Sequence, residues 1–346
     1  MKKIYDVITF GSATQDIYVK SKKFSPVAKK SFAAGRGICF PAGSKIEVED
    51  ILLSSGGGGT NTAATFTKQG LKTAWCGRVG DDSFGNLIIK ELGNLKIDTT
   101  FISKTKDKLT NTSVFLAYPG KDRTILVYRG ASDSLGKNDI PWSKIKNAKW
   151  FYLAPFAGNF VALTEKMVNF AKKNKIKVAL NPGYNQLTLP RKNLERILAK
   201  VDILILNREE ASLLTKIPYQ KEKAIFKKLD ELVHGICIMT KGGQGVVVSD
   251  GRYLYRAPSL YPEIVASGLK FIDSTGAGDA FGSGFVVGMI QKNNIVFAIQ
   301  LAMANSGYVI TKWGAKNGLL KKGRKWPKTK VSKELCLENG LCRTKE

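Results

Sequence analysis

The sequence predicts an α/β fold: a mainly parallel sheet covered by helices on both faces, accompanied by a smaller β-rich unit. From residue 150 onward, strand-like apolar runs such as WFYLA and ILILN alternate with stretches of helical length. Glycine is abundant, at 34 residues, as tight strand-to-helix turns require. Two earlier segments, residues 17–53 and 112–129, instead consist of short β-like pieces.

The individual elements follow from local patterns. Residues 4–10 form a short apolar run that stops at a glycine, which predicts the first strand. After the first β-like segment, the pattern predicts a helix at residues 60–69, a strand at 72–77 and a helix at 83–92. The second β-like segment alternates around a Pro-Gly pair, as a hairpin does. We expect the two β-like segments to pair with each other.

The length and the charge of the chain limit the class of protein to which it can belong. A chain of 346 residues, 43% of them hydrophobic, can bury a sizeable core in one large domain or two modest ones. The net charge is +27, from 55 Lys and Arg against 28 Asp and Glu, and a field of this sign attracts polyanions. Because the lysines are spread along the chain, the run at 312–333 included, the sequence favours a solvated basic surface over a nucleic-acid site.

The cysteines and the ends of the chain indicate the compartment. Five cysteines without a CxxC pair predict neither a disulfide framework nor a zinc site. No apolar run is long enough for a signal peptide or a membrane span, so we expect a cytoplasmic protein with no membrane partner. Residues 321–346 are basic and lack apolar periodicity, which predicts a loosely held C-terminal tail after a domain spanning residues 1–320.

The strongest chemical signal is the segment DSTGAGDAFGSGF at residues 273–285. Gly276 and Gly278 let backbone amides converge at the start of a helix, where unpaired N–H groups and the helix dipole favour a bound anion. Asp279, in the first turn, could accept the proton of a substrate hydroxyl during phosphoryl transfer. The alternative is an ordinary first-turn acidic residue after a tight turn, and the segment alone leaves both interpretations open.

A second glycine-rich segment, GGGGTNTA at residues 56–63, also precedes a predicted helix. Asn61 within it can donate and accept hydrogen bonds to hydroxyl groups. The segment is neither a Walker A loop nor a GxGxxG turn after a strand, and a flexible loop is the alternative interpretation.

In this order, the two segments resemble the two signatures of the ribokinase-like (PfkB) carbohydrate kinase family. Between them, GRVGDDSFG (residues 77–85) looks like the family's GxVGxDxxG segment, NREE (207–210) like its NxxE motif, and TKGGQG (240–245) like its TxGxxG nucleotide loop. The resemblance spans about residues 4–320. It implies a doubly wound, mainly parallel sheet with helices on both faces, a β-sheet lid built from the two β-like segments, and an active site between them.

The resemblance also implies transfer of the γ-phosphoryl group of ATP to a hydroxyl of a sugar or sugar acid. Asp279 would be the catalytic base, and the amides of Gly276, Ala277 and Gly278 would stabilise charge on the transferring group.

The nucleotide side is implied by the middle motifs. Asn207 and Glu210 would organise Mg²⁺ through water, with a helix cap as the alternative or additional role. Thr240, Gly242 and Gly245 would lie along the nucleotide.

Other positions concern the substrate and a second cation. Asp16 would bind sugar hydroxyls, with a strand-end turn as the alternative role, and Gly57 and Asn61 would form the pocket floor. Asp273 matches a position associated with a monovalent cation, so the resemblance implies K⁺ activation.

Departures from ribokinase concern the substrate. Gly58 stands where ribokinase has a lysine, and LAPFAG (residues 153–158) replaces an acidic sugar ligand, which disfavours ribose. Arg36, Arg123 and Arg129 could reach a substrate carboxylate, phosphate or base, or remain exposed charges of the lid. A nucleoside kinase and a non-catalytic sugar- or nucleotide-binding regulator stay open as alternatives. Homodimerisation through the lid edges is a further expectation.

Overall fold

The computed structural model describes residues 4–24, 26–28, 35–117 and 123–335, and within them the chain forms strands and helices in the predicted alternation. The strands are β1 (Tyr5–Phe10), β2 (Thr14–Lys20), β3 (Pro26–Ala28), β4 (Arg36–Ile38), β5 (Asp50–Gly56), β6 (Thr73–Gly80), β7 (Ile102–Thr105), β8 (Asn111–Ala117), β9 (Arg123–Tyr128), β10 (Ala148–Leu153), β11 (Lys177–Leu180), β12 (Ile203–Asn207), β13 (Ile236–Thr240), β14 (Val246–Ser249), β15 (Tyr253–Ala257) and β16 (Ser332–Leu335). The helices are α1 (Gly58–Lys68), α2 (Ser83–Asn94), α3 (Trp142–Ile145), α4 (Thr164–Lys173), α5 (Tyr184–Leu187), α6 (Arg191–Leu198), α7 (Arg208–Thr215), α8 (Glu222–Leu232), α9 (Tyr261–Ala266), α10 (Ala277–Lys292) and α11 (Ile295–Val309).

The large sheet has ten strands in the order β16-β15-β14-β13-β12-β11-β10-β1-β6-β7. The strands from β13 to β7 in this order pair in parallel, whereas β14, β15 and β16 are antiparallel additions at one edge. Strand order reverses direction around β1, because the chain builds one side of the sheet through β6 and β7 and the other through β10 to β16. This is a doubly wound arrangement, and ligands of such sheets bind at the carboxyl ends of the strands near the reversal.

Alternate residues of the central strands face two separate apolar layers. Phe151 and Leu153 of β10 pack into one core with α4, α6, α7 and α8, whereas Tyr152 between them packs into the other with α1, α10 and α11. Because side chains of a strand alternate between faces, a strand with both faces covered is a continuous apolar run. The predicted fold class, with helices on both faces of a mainly parallel sheet, is confirmed.

A second, four-stranded sheet has the order β5-β2-β8-β9, and we call it the lid sheet. The two β-like segments of the sequence do pair: β2 lies parallel to β8, while β5 and β9 pair antiparallel at the edges. The short hairpin β3–β4 is inserted between β2 and β5. The Pro-Gly pair expected at the β8–β9 turn lies outside the described residues, as do residues 25 and 29–34 of the first segment.

The segment expected to be a loosely held tail differs from that expectation where it is described. Residues 332–335 form β16, which pairs with β15 at the edge of the large sheet, and Thr329 is buried with its hydroxyl donating to the carbonyl of Pro258. A short strand needs only main-chain pairing to a free edge, so its residues show no apolar periodicity. Residues 336–346 lie outside the described part. None of the helices in the described ranges could span a membrane.

Candidate active site

The predicted site residues converge where the lid sheet meets the carboxyl ends of the large sheet's parallel strands. Three cavities lie in a row there. A cavity of about 320 Å³ and one of about 210 Å³ share Thr240 and Gly278 in their walls, and Asp279 lines the smaller one. The third, about 340 Å³, lies under the lid and is lined by Pro155.

A turn of unusual backbone geometry begins helix α10. Gly276 precedes the helix with φ +78°, a left-handed conformation that strains any residue with a side chain. A Cβ at Gly276 would also lie 2.4 Å from the Cβ of Ala315, so the position has no room for one. Gly278 has open space around it and lies between the two smaller cavities. The N–H group of Ala277 donates to the carbonyl of Ser274 at 3.1 Å, whereas the N–H group of Gly278 can face a phosphate group without a side chain in the way.

Asp279 lies in the first turn of α10 and is bound from across the active site. The Nδ2 of Asn61 donates a hydrogen bond of 2.9 Å to its Oδ2, although the two residues are 218 positions apart. Burial raises the pKa of the Asp279 carboxyl, while the bond from Asn61 and the positive charge of Lys316 lower it. A raised pKa suits a carboxyl group that accepts a proton during a reaction and releases it afterwards.

The glycine run at residues 56–59 is a closely packed turn. Gly57 has φ +94°, and a Cβ there would lie 2.4 Å from the carbonyl oxygen of Ser12. A Cβ at Gly58 would lie 3.4 Å from Asp279 Oδ1 and 3.3 Å from Pro155, so this turn forms the passage between the base and the third cavity. These contacts argue against the flexible-loop interpretation.

Asp16 lies within lid strand β2, not in a turn at the end of β1. It is buried, at 4% exposure, and its carboxylate faces Gly56, where a Cβ would be 2.0 Å from Oδ2. Burial raises the pKa of Asp16 to about 7, opposed by Lys316 and a hydrogen bond with Ser113 and aided by the negative charge of Asp273. Ser113 lines the third cavity, which places Asp16 beside it.

Asn207 and Glu210 form a reciprocal helix cap at the end of β12. The Asn207 side chain accepts from the Glu210 amide, and the Glu210 carboxylate accepts from the Asn207 amide, both at 2.8 Å. Both residues line the 210 Å³ cavity together with Asp279. The oxygen atoms of Asn207 and Glu210 suit a Mg²⁺ ion that would be held mainly by phosphates and water.

The 320 Å³ cavity contains the residues predicted to lie along the nucleotide. Thr240, Gly242 and Gly245 line one wall. Gly245 has φ +91°, and a Cβ there would lie 2.0 Å from the carbonyl of Ala257, so the loop can turn only at a glycine. The opposite wall contains side chains that offer flat or apolar surface to a base: Tyr261, Phe271, Phe281, Met303 and Ile310.

Asp273 is paired with an arginine from the lid. The Nη1 of Arg123, on β9, lies 2.9 Å from Asp273 Oδ1, and its Nη2 donates to the Ser274 hydroxyl at 3.2 Å. The Asp273 side chain is 1% exposed. Its Oδ2 and the Thr275 hydroxyl are buried without hydrogen-bond partners in the described structure, and oxygens of this kind are ligands that an alkali-metal cation accepts.

The third cavity carries the polar groups expected for a small polyol. Ser12, Thr14, Asn111 and Ser113 line it, together with Arg129, which directly follows β9. Opposite it are an aromatic and an amide side chain, Phe156 and Asn185. Asp16 interacts with Ser113 of this cavity, whereas Asp279 lines the 210 Å³ cavity and accepts the hydrogen bond from Asn61.

Sequence reasoning missed one residue of the site. Lys316 belongs to the lysine run 312–333 that we expected to be solvated, and that expectation is wrong for this residue, which is 3% exposed. Its ammonium group donates to the carbonyl and the hydroxyl of Ser55, at 2.7 and 2.6 Å. The only local signal is its apolar setting, WGAKNGLL, which lacks the neighbouring charges of the other lysines in the run.

Known proteins share this fold. The family model described as pfkB family carbohydrate kinase matches residues 6–322. The chain is 26% identical to the ribokinase of Haemophilus influenzae over 281 residues, or 80% of this chain and 88% of that protein. Arabidopsis thaliana ribokinase complexed with ribose and ATP has a TM-score of 0.73 at 22% identity, covering 93% of this chain and 96% of that one. The nucleoside kinase of Methanocaldococcus jannaschii, an archaeal member of the ribokinase family, has a TM-score of 0.71 at 20% identity, covering 92% and 96%.

The fold and the family match together define a phosphotransferase that acts on a small alcohol. The chain belongs to the pfkB family of carbohydrate kinases and is a sugar or nucleoside kinase with the ribokinase fold.

Proposed function

We propose that this protein transfers the γ-phosphoryl group of ATP to a hydroxyl group of a sugar or sugar acid. The observation that carries the proposal is the position of Asp279. Its carboxylate is bound by Asn61, which lies in α1 directly after the glycine turn at residues 56–59, and its helix begins at Gly276, beside the 210 Å³ cavity. A base at this junction can reach a hydroxyl and a γ-phosphate at the same time.

The chemistry follows from these positions. Asp279 accepts the proton of the substrate hydroxyl as its oxygen bonds to the γ-phosphorus, while the bond to the bridging oxygen breaks and ADP leaves. The backbone amides of Gly276, Ala277 and Gly278 stabilise negative charge on the transferring group. Asn207 and Glu210 would hold water molecules around a Mg²⁺ ion, and this ion would supply positive charge to the phosphates.

Side chains in and beside the third cavity support this substrate class. Asp16 suits binding of two hydroxyls, and Arg129 in the wall favours a substrate with a carboxylate. Ala154 and Pro155 add no carboxylate where ribokinase has one, so ribose itself is disfavoured.

A nucleoside is the second candidate substrate. Phe156 lines the same cavity and stacks on Phe160 with ring centroids 3.8 Å apart, which provides an aromatic surface next to a base-sized space. The nucleoside kinase of Methanocaldococcus jannaschii has the same fold, which also supports this candidate.

K⁺ activation is part of the proposal. The unpartnered oxygens of Asp273 and Thr275 fit a monovalent cation next to residues 276–278, which we call the anion-binding turn. Arg123 already pairs with the other carboxylate oxygen of Asp273. Such a cation would add positive charge near the phosphates, and Asp273 and Thr275 would hold it.

Association through the lid edges is also proposed, since apolar side chains remain exposed there. Ile51 and Leu53 on β5 are 57% and 53% exposed, and Leu126 and Val127 on β9 are 56% and 59% exposed. Pairing of these edges in a homodimer would cover them. Light scattering after size exclusion tests this proposal, and a monomer at micromolar concentration would refute it.

ATP as the donor fits a cytoplasmic location, and the dispersed basic charge favours neither nucleic acid nor membrane as a partner.

The experiment that tests the function measures ADP release with ATP and Mg²⁺ over a substrate panel. The panel pairs neutral sugars with their sugar acids, and adds sugar phosphates and nucleosides, each with KCl or choline chloride. We expect a rate that depends on a sugar or sugar acid and is abolished by Asp279→Asn. Turnover of nucleosides alone would replace the leading substrate class with the second candidate. Sugar binding without turnover in the folded protein would favour the non-catalytic regulator.

A further inference from the structure

Residues 313–316, which follow α11, connect the lid sheet to the anion-binding turn. Trp313 packs edge-on against Tyr18 of β2, with ring centroids 5.4 Å apart. Gly314 lies against β5, where a Cβ would be 2.8 Å from the Ser54 hydroxyl. Ala315 packs against Gly276, the first residue of the anion-binding turn. Lys316 then reaches β5 again. Consecutive residues of one short segment therefore contact both halves of the active site.

The ammonium group of Lys316 lies in the interior. Ser55, which it binds through two oxygens, directly precedes the glycine turn at residues 56–59. The carbonyl oxygen of Lys316 in turn accepts a bond of 2.5 Å from the Lys68 ammonium at the end of α1. A buried lysine is costly unless it is bound and its charge is balanced. Ser55 provides the hydrogen bonds but no charge, so the balance comes from the carboxylates around it.

The charged groups that face Lys316 come from four elements. Glu91, Asp16 and Asp279 attract its positive charge, and Lys68 repels it. Asp16 is also influenced by Asp273 and Glu91, and the charge of Asp279 acts on the buried hydroxyl of Tyr152. Lys316 is the cation common to the proposed substrate-binding carboxylate and the proposed base.

We propose that Lys316 is a positioning residue of this active site: its ammonium group fixes Ser55 beneath the glycine turn and supplies the positive charge that the Asp16 and Asp279 carboxylates share. Without that positive charge the two carboxylates would be like charges in a buried site, and each would keep its proton to a higher pH than in the wild type. A protonated Asp279 cannot act as a base, and a protonated Asp16 binds hydroxyls as a donor. The roles given to Asp16 and Asp279 in the reaction rest on the proposed function, whereas the electrostatic coupling of Lys316 to them does not.

Three variants separate the charge of Lys316 from its packing. Lys316→Met keeps the length of the side chain without its charge, Ser55→Ala removes one of the two anchoring oxygens but leaves the charge, and Lys312→Met alters an exposed lysine of the same segment. The acid limb of kcat/KM should move up by about one pH unit or more in Lys316→Met. It should stay in place in Ser55→Ala and Lys312→Met. An equal loss of activity at every pH in Lys316→Met would show a structural role only, and would overturn the proposal.

A second measurement does not need turnover. The carboxyl carbons of aspartate-labelled protein are titrated by NMR, with Asp16→Asn used to assign Asp16. The Asp16 midpoint should rise in Lys316→Met and remain unchanged in Lys312→Met. If the wild type phosphorylates no substrate and the Asp16 midpoint still rises, the proposed function fails and the role of Lys316 stands. An unchanged midpoint overturns the role of Lys316 whatever the activity.

The effect of Asp16 on the titration of Lys316 provides a test that remains valid if Lys316→Met does not fold. Because coupling between two titrating groups is mutual, Asp16→Asn must lower the pKa of Lys316, which burial already lowers to about 8. Lysine labelled at Cε reports this titration in the wild type and in Asp16→Asn, with Lys316→Arg used for assignment. A lysine midpoint that is identical in both proteins would contradict the proposal.

Discussion

Asn61 and Asp279 join the two glycine-rich motifs of this chain by one hydrogen bond of 2.9 Å. Asn61 lies in the first turns of α1, directly after the glycine turn, and Asp279 lies in the first turn of α10. The helices pack side by side, so the substrate side and the phosphate side meet at this bond. The other amide atom, Asn61 Oδ1, is buried and has no partner among the described residues. A substrate hydroxyl could donate to it.

Replacing Asn61 with Ala should shift the pH dependence of turnover. The lost hydrogen bond stabilises the ionised Asp279, so the pKa of Asp279 should rise further and the acid limb of kcat should move to higher pH. We expect a loss of roughly tenfold or more near pH 7, from a hydrogen bond to a charged group. Steady-state kinetics between pH 5.5 and 9 measure the shift, with the exposed Asn94→Ala as control. An unshifted limb would show that Asn61 does not tune the base.

Asp279→Asn should abolish turnover while leaving nucleotide binding intact. The amide keeps the shape of the side chain and cannot take the proton, so kcat should fall by about 10²-fold or more. Because ionisation of a carboxyl with a raised pKa destabilises the fold, we also expect the variant to be at least as stable as the wild type at pH 8. Isothermal titration with ADP and thermal unfolding measure the two effects. Wild-type kcat would remove Asp279 from the role of base.

Asp16→Asn should stabilise the protein at alkaline pH. The pKa of Asp16 is raised to about 7, so its protonated form favours the fold at low pH, and this contribution is lost as the pH rises through 7. The amide cannot ionise. The Tm of the variant relative to the wild type should therefore increase by a few degrees between pH 4 and pH 8. Asp50→Asn, an exposed change on neighbouring strand β5, is the control. A Tm difference independent of pH would contradict the raised pKa.

Arg123→Gln should destabilise the protein, and K⁺ should restore part of the lost stability. Removing the arginine leaves the Asp273 carboxylate, 1% exposed, without its ion pair, at a cost of about 3 kcal/mol. A cation bound to Asp273 and Thr275 would replace the lost charge. We expect KCl to raise the Tm of the variant more than choline chloride of equal ionic strength. The double variant Arg123→Gln/Asp273→Asn should regain stability, because the buried charge is gone. Equal Tm values in both salts would argue against a cation site there.

The glycine-rich motifs could be recognised in the sequence because their chemistry is local. Gly57, Gly245 and Gly276 adopt backbone conformations that only glycine takes easily, so a turn that must approach a ligand leaves its mark in a few consecutive letters. The buried strands were equally recognisable, since a strand covered on both faces is a continuous apolar run, and β10 to β13 lie where such runs predicted them.

The arrangement of the lid sheet could not be predicted from the local sequence pattern alone. Its strands were recognisable, but the direct parallel pairing of β2 with β8, and the place of Asp16 within β2, depend on contacts between distant segments. The edge strand β16 was missed for a related reason: a short strand that adds to a free edge needs no apolar pattern of its own.

The class of fold and the motifs that carry phosphoryl-transfer chemistry can be inferred from the order of residues, because both depend on periodicity and on residue types at short spacing. Which charged groups come together depends instead on contacts between distant segments. Lys316 belongs to a run of lysines that the sequence predicts to be solvated, yet it is buried and its charge interacts with those of Asp16 and Asp279. Arg123 is one of the lid arginines for which the sequence indicates no particular partner, and it forms an ion pair with Asp273. The strength of an electrostatic interaction depends on distance and on exclusion of water, and neither is encoded in the order of neighbouring residues.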